Sequence, residues 1–216
     1  MTDKPNPAAM WDERFAQPEP VYGHEPNAYL QVQAKKRLNA GAKILVPADG
    51  YGRNGLWLAK QGFDVTTVDV SAVGVERARR AAKENGINAS ILLSDLNTWQ
   101  WPKGEFEAVA SIYLHLPPDQ RPGIHTHMFE ALKPGGIIIL EAFNHAQLKF
   151  SSGGPKQLEL LYTEEILCRD FASAEVIELA EMEADLAEGK MHSGRCAVVR
   201  AVFRKKDDGN SKILSC

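Results

Sequence analysis

Two glycines and an aspartate stand at a spacing that suits the binding of a nucleoside. Gly50 and Gly52 are separated by one residue and follow the apolar residues 44–46, and a helical pattern begins at Asn54. Because glycine has no Cβ, such a turn can bring its backbone close to a ligand, at which the following helix directs its unpaired N–H groups. Asp69 ends the next predicted strand, where a carboxylate can accept hydrogen bonds from a ribose. We therefore predict a nucleoside-containing cofactor at the carboxyl ends of parallel strands.

The glycines alone leave the identity of that nucleoside open. Gly50, Gly52 and Gly55 also satisfy the G-x-G-x-x-G pattern of dinucleotide sites, which permits an NAD(P)-dependent oxidoreductase. Against it, more than forty residues precede the first predicted strand, and neither a separate substrate domain nor a Tyr-x-x-x-Lys motif is evident. Asp95 follows the third predicted strand, where it could accept from an adenine amino group or cap a turn.

The sequence gives little support for a metal site or for a hydrolase. His125 and His127 lie two apart on a predicted helix, so they point to different faces. No other His, Cys, Asp or Glu cluster in the sequence has ligand spacing, and no G-x-S-x-G elbow occurs. We predict no metal.

Composition predicts one domain over residues 1–216. The chain is 44% hydrophobic and 25% charged with a net charge of −3, which gives no electrostatic reason to expect a nucleic-acid partner. No stretch is apolar enough to span a membrane, and three widely separated cysteines fit a reducing, cytoplasmic setting. We expect a small-molecule substrate, no membrane partner, and a monomer or weak homodimer.

The predicted elements alternate in the manner of an α/β sheet. Strands are predicted at residues 44–46, 64–69, 89–94, 106–112 and 137–141, with helices between them, and at 175–182 and 196–204 without one. This order predicts a Rossmann-like, doubly wound, seven-stranded sheet, mostly parallel, with an antiparallel strand at the C-terminal edge. We expect disorder at 1–9, a lid and first helix at 10–42, the core at 43–204 and a loose tail at 205–216. Pro26 is predicted near the start of that first helix, which runs to about Asn39.

The segment before the core contains aromatic residues whose placement the sequence leaves open. Trp11 and Phe15 could belong to a lid over a cofactor, or could pack on the outside of the sheet.

The order of these parts resembles the class I methyltransferases that use S-adenosylmethionine, over roughly residues 11–206. The resemblance rests on Gly50-Tyr51-Gly52 with Arg53-Asn54, on Asp69 and Asp95, and on the predicted turn Lys133-Pro134-Gly135-Gly136. Gly52-Arg53-Asn54 and a histidine before an arginine-bearing last strand are similar to the small TehB-like branch, named for tellurite resistance. The opening Trp11-Asp12-Glu13-Arg14-Phe15 with Tyr22-Gly23 and Pro26-Asn27 is similar to that branch and to the thiopurine and thiol methyltransferases, in which it covers the cofactor.

The resemblance implies a role for each matching position. The loop of Gly50 and Gly52 would hold the methionine end of the cofactor, and Asp69 would bind both ribose hydroxyls. Asp95 and Leu96 would frame the adenine. Ile112 and Tyr113 would line the methionine side, with His115 near the transferring methyl. The predicted cofactor-binding set is Tyr22, Asp49, Gly50, Tyr51, Gly52, Arg53, Asn54, Asp69, Val70, Asp95, Leu96, Ile112 and Tyr113.

The glycine loop also departs from the family pattern. Val46 stands where an acidic residue is usual, Ala48 where a glycine is usual, and Asp49 where the residue is normally small or Cys. These changes affect the contact with the cofactor's ammonium group, for which the Asp49 carboxylate is a possible substitute.

The implied function is methyl transfer from S-adenosylmethionine, leaving S-adenosylhomocysteine, to a small-molecule acceptor with a soft nucleophile, such as a thiol or a selenium or tellurium oxyanion. A soft anion needs only steering, whereas an oxygen or nitrogen nucleophile needs a base. The catalytic candidates are His192, His115 and Arg195, and Arg14 and Arg53 could grip an anionic acceptor. The alternatives are the oxidoreductase above and a non-catalytic protein that binds the adenosyl cofactor.

Overall fold

A seven-stranded mixed sheet forms the centre of the molecule, in a computed structural model that describes residues 7–207. Its strand order is β3-β2-β1-β4-β5-β7-β6. The strands are β1 (Lys43–Pro47), β2 (Asp64–Asp69), β3 (Ser90–Leu93), β4 (Phe106–Ile112), β5 (Leu132–Phe143), β6 (Glu175–Ala187) and β7 (Ser193–Arg204). Only β7 runs against its neighbours β5 and β6 among the described strands, so the predicted Rossmann-like, mostly parallel sheet is confirmed.

Six α-helices flank the sheet in the described part of the chain. They are α1 (Pro7–Phe15), α2 (Ala28–Arg37), α3 (Arg53–Lys60), α4 (Ala72–Glu84), α5 (Arg121–Ala131) and α6 (Glu164–Asp170). Ser71 and Thr163 cap α4 and α6 through their side-chain oxygens, as polar residues at helix starts do. Within residues 7–207, no helix has the length and apolar character to cross a bilayer.

The hydrophobic core forms on both faces of the sheet because successive residues of a strand point to opposite faces. In β1, Leu45 packs with α5 and α6, whereas Ile44 and Val46 pack with α2 and α3. The loop after β1 therefore emerges between two packed layers, at the edge where parallel strands present their carboxyl ends.

Several boundaries differ from the sequence predictions. Residues 7–9 belong to α1, where disorder was expected, while residues 1–6 and 208–216 of the predicted disordered segment and loose tail lie outside the described residues. Pro26 precedes Asn27, which caps α2 and thereby sets its start. The predicted turn at residues 133–136 is the first part of β5, because Phe106 already pairs with Leu132.

The C-terminal hairpin is longer than predicted. Strands β6 and β7 pair from Glu175–Arg204 up to Ala187–Ser193, so the connection contains only residues 188–192. β7 lies one position inside the sheet and β6 forms its edge.

Candidate active site

The glycine loop is joined directly to the end of β2. Gly50 N donates to Asp69 Oδ2 over 2.7 Å, and Ser71 N donates to Asp69 Oδ1 over 2.8 Å. Asp69 is buried, and burial raises the pKa of its carboxyl above the usual value against the effect of these backbone donors. Each carboxylate oxygen keeps a further lone pair, so Asp69 retains the capacity to accept hydrogen bonds from a diol.

Asp49 points beneath the loop, where it caps α3. Its Oδ2 accepts from Gly55 N over 2.9 Å, at a helix start where Gly52 supplies no side-chain cap. Its Oδ1 is buried without a hydrogen-bond partner, and burial raises the pKa of Asp49 to about 7. The cap gives Asp49 a structural function, and its predicted contact with a cofactor ammonium group stays a prediction.

Helix α1 lies on the glycine loop and on α4. Asp12 Oδ1 accepts from Ser71 Oγ over 2.6 Å and from Val73 N over 3.0 Å, at the start of α4. The buried Phe15 ring contacts the loop so closely that a Cβ at Gly50 would lie 2.7 Å from Phe15 Cζ. Phe15 thus packs against the glycine loop and the start of α4. That α1 acts as a lid stays a prediction.

Tyr51 connects the loop to the segment after α1. Its hydroxyl accepts from Tyr22 N over 3.1 Å and donates to Gly23 O over 2.9 Å. Tyr22 is held from the other side by Arg14, whose Nη1 donates to the Tyr22 hydroxyl over 2.8 Å. Arg14 is thus engaged within the N-terminal segment of residues 7–27, called the cover below. The sequence had suggested that Arg14 could grip an anionic acceptor.

His192 lies in the short turn between β6 and β7, enclosed by three aromatic rings. Its ring centroid lies 4.6 Å from that of Tyr22, 4.5 Å from Tyr113 and 5.3 Å from Phe143. His192 is 5% exposed, and burial lowers the pKa of its imidazole, so the ring is neutral at pH 7. Tyr113 follows β4 with a φ of 53°, a strained conformation of a kind that clusters at functional sites.

A buried network lies beside this aromatic group. The Asn27 amide donates to Glu141 Oε1 over 2.6 Å and to Glu188 Oε1 over 3.0 Å. The Tyr113 hydroxyl and the Arg200 guanidinium also donate to Glu141. The carboxylate at the end of β5 is therefore satisfied by three side chains from separate elements.

The Gly52-Arg53-Asn54 motif completes the network. Arg53 Nη2 donates to Glu188 Oε2 over 2.8 Å, and Arg53 Nη1 donates to Glu25 O over 3.0 Å. Asn54 Oδ1 accepts from Asn27 N over 2.9 Å. Arg53 therefore binds the cover to the core and neutralises a buried carboxylate, whereas the sequence predicted a contact with cofactor or acceptor.

Two of the catalytic candidates are placed differently from the prediction. His115 Nε2 accepts from Phe143 N over 3.3 Å, so Nδ1 donates to Leu160 O over 2.7 Å, and burial lowers the pKa of His115 to about 4. With both nitrogens bonded to backbone, His115 cannot serve as a base in this structure. Arg195 is 59% exposed and pairs with Glu183, because β7 extends through it and directs it outward.

The remaining predicted cofactor residues lie along the same sheet edge. Ser94 N donates to Asp69 O over 2.9 Å, which places Asp95 next to the end of β2. The Asp95 carboxylate is exposed and caps its own turn by accepting from Asn97 N over 2.9 Å. Leu96 is buried in the core, Ile112 ends β4, and Val70 is half-buried after β2. Their contacts with a cofactor stay predictions.

Sequence reasoning missed four side chains that build this site, Glu141, Phe143, Glu188 and Arg200, and it placed Asn27 in the opening motif without the bonds to Glu141 and Glu188. A signal existed for Glu141, because a charged residue that ends the apolar run of residues 137–140 must be buried and therefore paired. Glu188 lies in a glycine-bearing loop and offers no comparable signal.

Comparisons with known proteins agree with this architecture. Residues 44–136 match the family described as "Methyltransferase domain". A thiopurine S-methyltransferase of Nitrosospira multiformis is 26% identical over 77% of this chain and 86% of its own length. A 23S rRNA (uracil(747)-C(5))-methyltransferase of Pyrococcus horikoshii is 38% identical over 32% of this chain, which spans only 17% of that protein. The structure of TehB from Haemophilus influenzae aligns with a TM-score of 0.68 at 21% identity, over 83% of this chain and 62% of that one.

The strand order, the glycine loop joined to Asp69 and the domain match are those of the class I methyltransferase fold, for which the implied cofactor is S-adenosylmethionine. Within that fold, the chain is similar in sequence to thiopurine S-methyltransferases and in structure to TehB.

The residues present fit this cofactor. Asp69 offers a buried carboxylate to a ribose diol, and the rings of Tyr22, Tyr113 and Phe143 suit a positively charged sulfonium centre, because aromatic faces attract cations. The G-x-G-x-x-G pattern of Gly50, Gly52 and Gly55 is therefore compatible with S-adenosylmethionine and does not require a nicotinamide cofactor.

Proposed function

We propose that this protein transfers the methyl group of S-adenosylmethionine to the sulfur of a small, uncharged acceptor such as an aromatic thiol. One observation carries the proposal. A neutral, buried histidine, His192, is enclosed by Tyr22, Tyr113 and Phe143 beside the glycine loop. Such a surface favours a flat apolar molecule, with the imidazole as its polar contact. The thiopurine S-methyltransferase relatives support sulfur as the nucleophile.

The charges around His192 favour an uncharged acceptor over a selenium or tellurium oxyanion. Arg53 is paired with Glu188, and Arg200 is paired with Glu141. An oxyanion would have to displace one of these carboxylates or lie close to both, at a cost of several kcal/mol when the pairs are buried. Arg195 points away from the site toward Glu183, and Arg14 donates to the Tyr22 hydroxyl.

The chain's own residues would orient the reactants and remove one proton. S-adenosylmethionine supplies an activated methyl group on a sulfonium, so the protein's main work is alignment and the exclusion of water. Tyr22 and Phe143 would hold the acceptor, and His192 would accept its S–H proton. Phe15 and Trp11, stacked with ring centroids 5.4 Å apart, would exclude water from the glycine loop as part of a lid.

The cofactor contacts are proposed from the placement of the loop and strand ends. The backbone of Gly50 and Gly52 would hold the methionine part, and Asp69 would bind both ribose hydroxyls. Asp95 would accept from the adenine amino group beside Leu96. We propose no nucleic-acid partner and a monomer or weak homodimer.

Calorimetric titration tests the cofactor assignment first. The protein is titrated with S-adenosylhomocysteine, NADH and NADPH, and the titrations are repeated on Asp69→Ala and on Asp64→Ala, a matched control at the exposed start of β2. We expect binding of the adenosyl compound alone, weakened at least about tenfold by Asp69→Ala and little changed by Asp64→Ala, because a charge-assisted hydrogen bond is worth about 1.5–3 kcal/mol. Binding of a nicotinamide cofactor instead would overturn the assignment.

Turnover then tests the acceptor. Wild-type protein is incubated with labelled S-adenosylmethionine and thiophenol, 6-mercaptopurine, selenite or tellurite. Methylation of the aromatic thiols in preference to the oxyanions is expected. Preference for tellurite or selenite would contradict the acceptor class, and cofactor binding without turnover on any acceptor would favour the non-catalytic alternative.

A further inference from the structure

The turn that carries His192 also carries an acidic residue directed at it. Glu188 N donates to His192 O over 2.8 Å, and His192 N donates to Gly189 O over 3.1 Å, which closes residues 188–192 into a compact loop. Glu188 Oε2 and His192 Nδ1 lie 3.6 Å apart, and both side chains are less than 10% exposed. This separation is just beyond a hydrogen bond, so a small rotation of the ring would form one.

The Nδ1 atom needs such a partner. It is one of the buried polar side-chain atoms in the described residues with no hydrogen bond. A buried polar atom left unpaired costs about 1–3 kcal/mol, which favours pairing with an acceptor at this distance. The rings of Tyr22, Tyr113 and Phe143 contact the His192 ring. The other titratable groups that act on it are the charged Arg53 and Glu141 and the neutral His115.

The Glu188 carboxylate is held in place by two donors. Glu188 Oε2 accepts from Arg53 over 2.8 Å, and Glu188 Oε1 accepts from Asn27 over 3.0 Å. Burial opposes ionisation of Glu188, but the nearby His192 and Arg53 outweigh it and hold the pKa of Glu188 below its usual value. A fixed anion next to an imidazole nitrogen sets which nitrogen carries the proton.

We propose that Glu188 is a positioning residue that accepts a hydrogen bond from His192 Nδ1 and leaves Nε2 free to take a proton from the acceptor. The inference rests on the proposed methyl transfer to a thiol. In that step Nε2 takes the proton of the S–H group while the acceptor's sulfur forms a bond to the methyl carbon. The electron pair of the broken sulfonium bond stays with the leaving sulfur, and His192 later releases the proton to water.

The Arg53–Glu188 pair suggests a purely structural function for Glu188, in which it only anchors the cover. That function would be lost equally when either partner of the pair is removed. Positioning of the histidine would be lost only when the carboxylate is removed. The two functions are therefore separable by comparing Glu188→Gln with Arg53→Met, while Glu183→Gln in the exposed pair with Arg195 serves as the matched control.

NMR of the ¹⁵N-labelled imidazole tests the geometry without any turnover. In the wild type, at about pH 8, we expect neutral His192 with its proton on Nδ1, a tautomer retained in Arg53→Met and Glu183→Gln and lost in Glu188→Gln. An Nε2-protonated ring in the wild type, or the same tautomer in Glu188→Gln, would overturn the proposal. Because this readout needs no acceptor, it remains decisive if the thiol proposal fails.

Two thiols of different acidity test the consequence for the reaction. With an aliphatic thiol that is protonated at neutral pH, Glu188→Gln should lower kcat/KM by about tenfold or more, as loss of base positioning does. With 4-nitrothiophenol, which is already ionised, the loss should be less than about threefold, because no proton needs to be removed. The limb of the pH profile assigned to His192 should move in Glu188→Gln. Equal losses on both thiols would refute the positioning function.

Discussion

Asn27 and Glu141, 114 residues apart in the sequence, are joined by a buried hydrogen bond of 2.6 Å from the Asn27 amide to Glu141 Oε1. Asn27 precedes the first turn of α2 and Glu141 lies near the end of β5, so this bond fastens the N-terminal segment to the centre of the sheet. The second hydrogen of the same amide reaches Glu188. A single neutral side chain therefore separates two carboxylates that would otherwise face each other.

Replacing Asn27 with aspartate should release this attachment. Asp keeps the oxygen that caps α2 by accepting from Leu30 N, but it adds a third carboxylate next to Glu141 and Glu188. Asn27→Ser also keeps a cap oxygen and adds no charge, so it is the control. We expect Asn27→Asp to be less stable than Asn27→Ser by about 2 kcal/mol or more in urea unfolding at pH 7, because a buried unpaired charge is costly. Equal stabilities would mean that the network tolerates charge.

Replacing Gly50 with alanine should disturb the cover as well as the loop. Gly50 has a φ of 58°, and an added Cβ would lie 2.7 Å from Phe15 Cζ, so the ring must move. Gly62 has a φ of 88° with no neighbour within 4 Å of an added Cβ, so Gly62→Ala measures the backbone strain alone. We expect about 1–2 kcal/mol for Gly62→Ala and a further 1–3 kcal/mol for Gly50→Ala from the steric clash. Faster hydrogen exchange in α1 of Gly50→Ala would accompany that difference, and protection equal to the wild type would contradict it.

The buried carboxyl of Asp49 should make stability depend on pH. Its folded-state pKa of about 7 lies above the usual value of 3.8, so the folded protein binds a proton that the unfolded chain has released between these two values. The stability from this proton is fully present below about pH 4 and is lost as pH rises to 7. In Asp49→Asn that contribution is absent. The wild-type free energy of unfolding should therefore fall relative to the variant, by up to about 1.4 kcal/mol per pH unit. A constant difference from pH 5 to 7.5 would show that the carboxyl titrates normally.

Alanine substitutions of two arginines of β7 should have very different effects on the free energy of unfolding. Arg195 is 59% exposed and pairs with the exposed Glu183, and such surface pairs contribute about 0–1 kcal/mol. Arg195→Ala should leave stability and thiol methylation close to wild-type values. Arg200 donates to Glu141, whose side chain is 1% exposed, so Arg200→Ala leaves a buried carboxylate short of its cation and should cost about 3 kcal/mol or more. A strong activity loss in Arg195→Ala with unchanged stability would restore Arg195 as a catalytic candidate.

Local sequence patterns predicted the strands and the glycine loop well. The glycine turn after β1 and Asp69 at the end of β2 both depend on neighbours within a few residues, which the sequence displays directly. The strands β2 and β4 have the predicted bounds, because an apolar run between turn residues defines a buried strand. The family resemblance added the cofactor.

The surroundings of the candidate catalytic side chains were predicted less well because their neighbours are distant in sequence. His115 appeared available until the fold brought the backbone of Phe143 and Leu160 to its two ring nitrogens. Arg195 appeared to be a loop residue, but twelve paired positions between β6 and β7 extend the strand through it. No sequence pattern near His115 or Arg195 indicates the backbone bonds of the one or the outward position of the other.

The sequence by itself thus determined the fold class, the glycine loop and the acidic residue beside it, since each follows from short-range periodicity and turn chemistry. The tertiary structure alone decided that Arg53, Glu188 and Asn27 form one buried network beside His192. These residues are separated by up to 161 positions, and their charges could be buried together only because the folded chain lets each satisfy another.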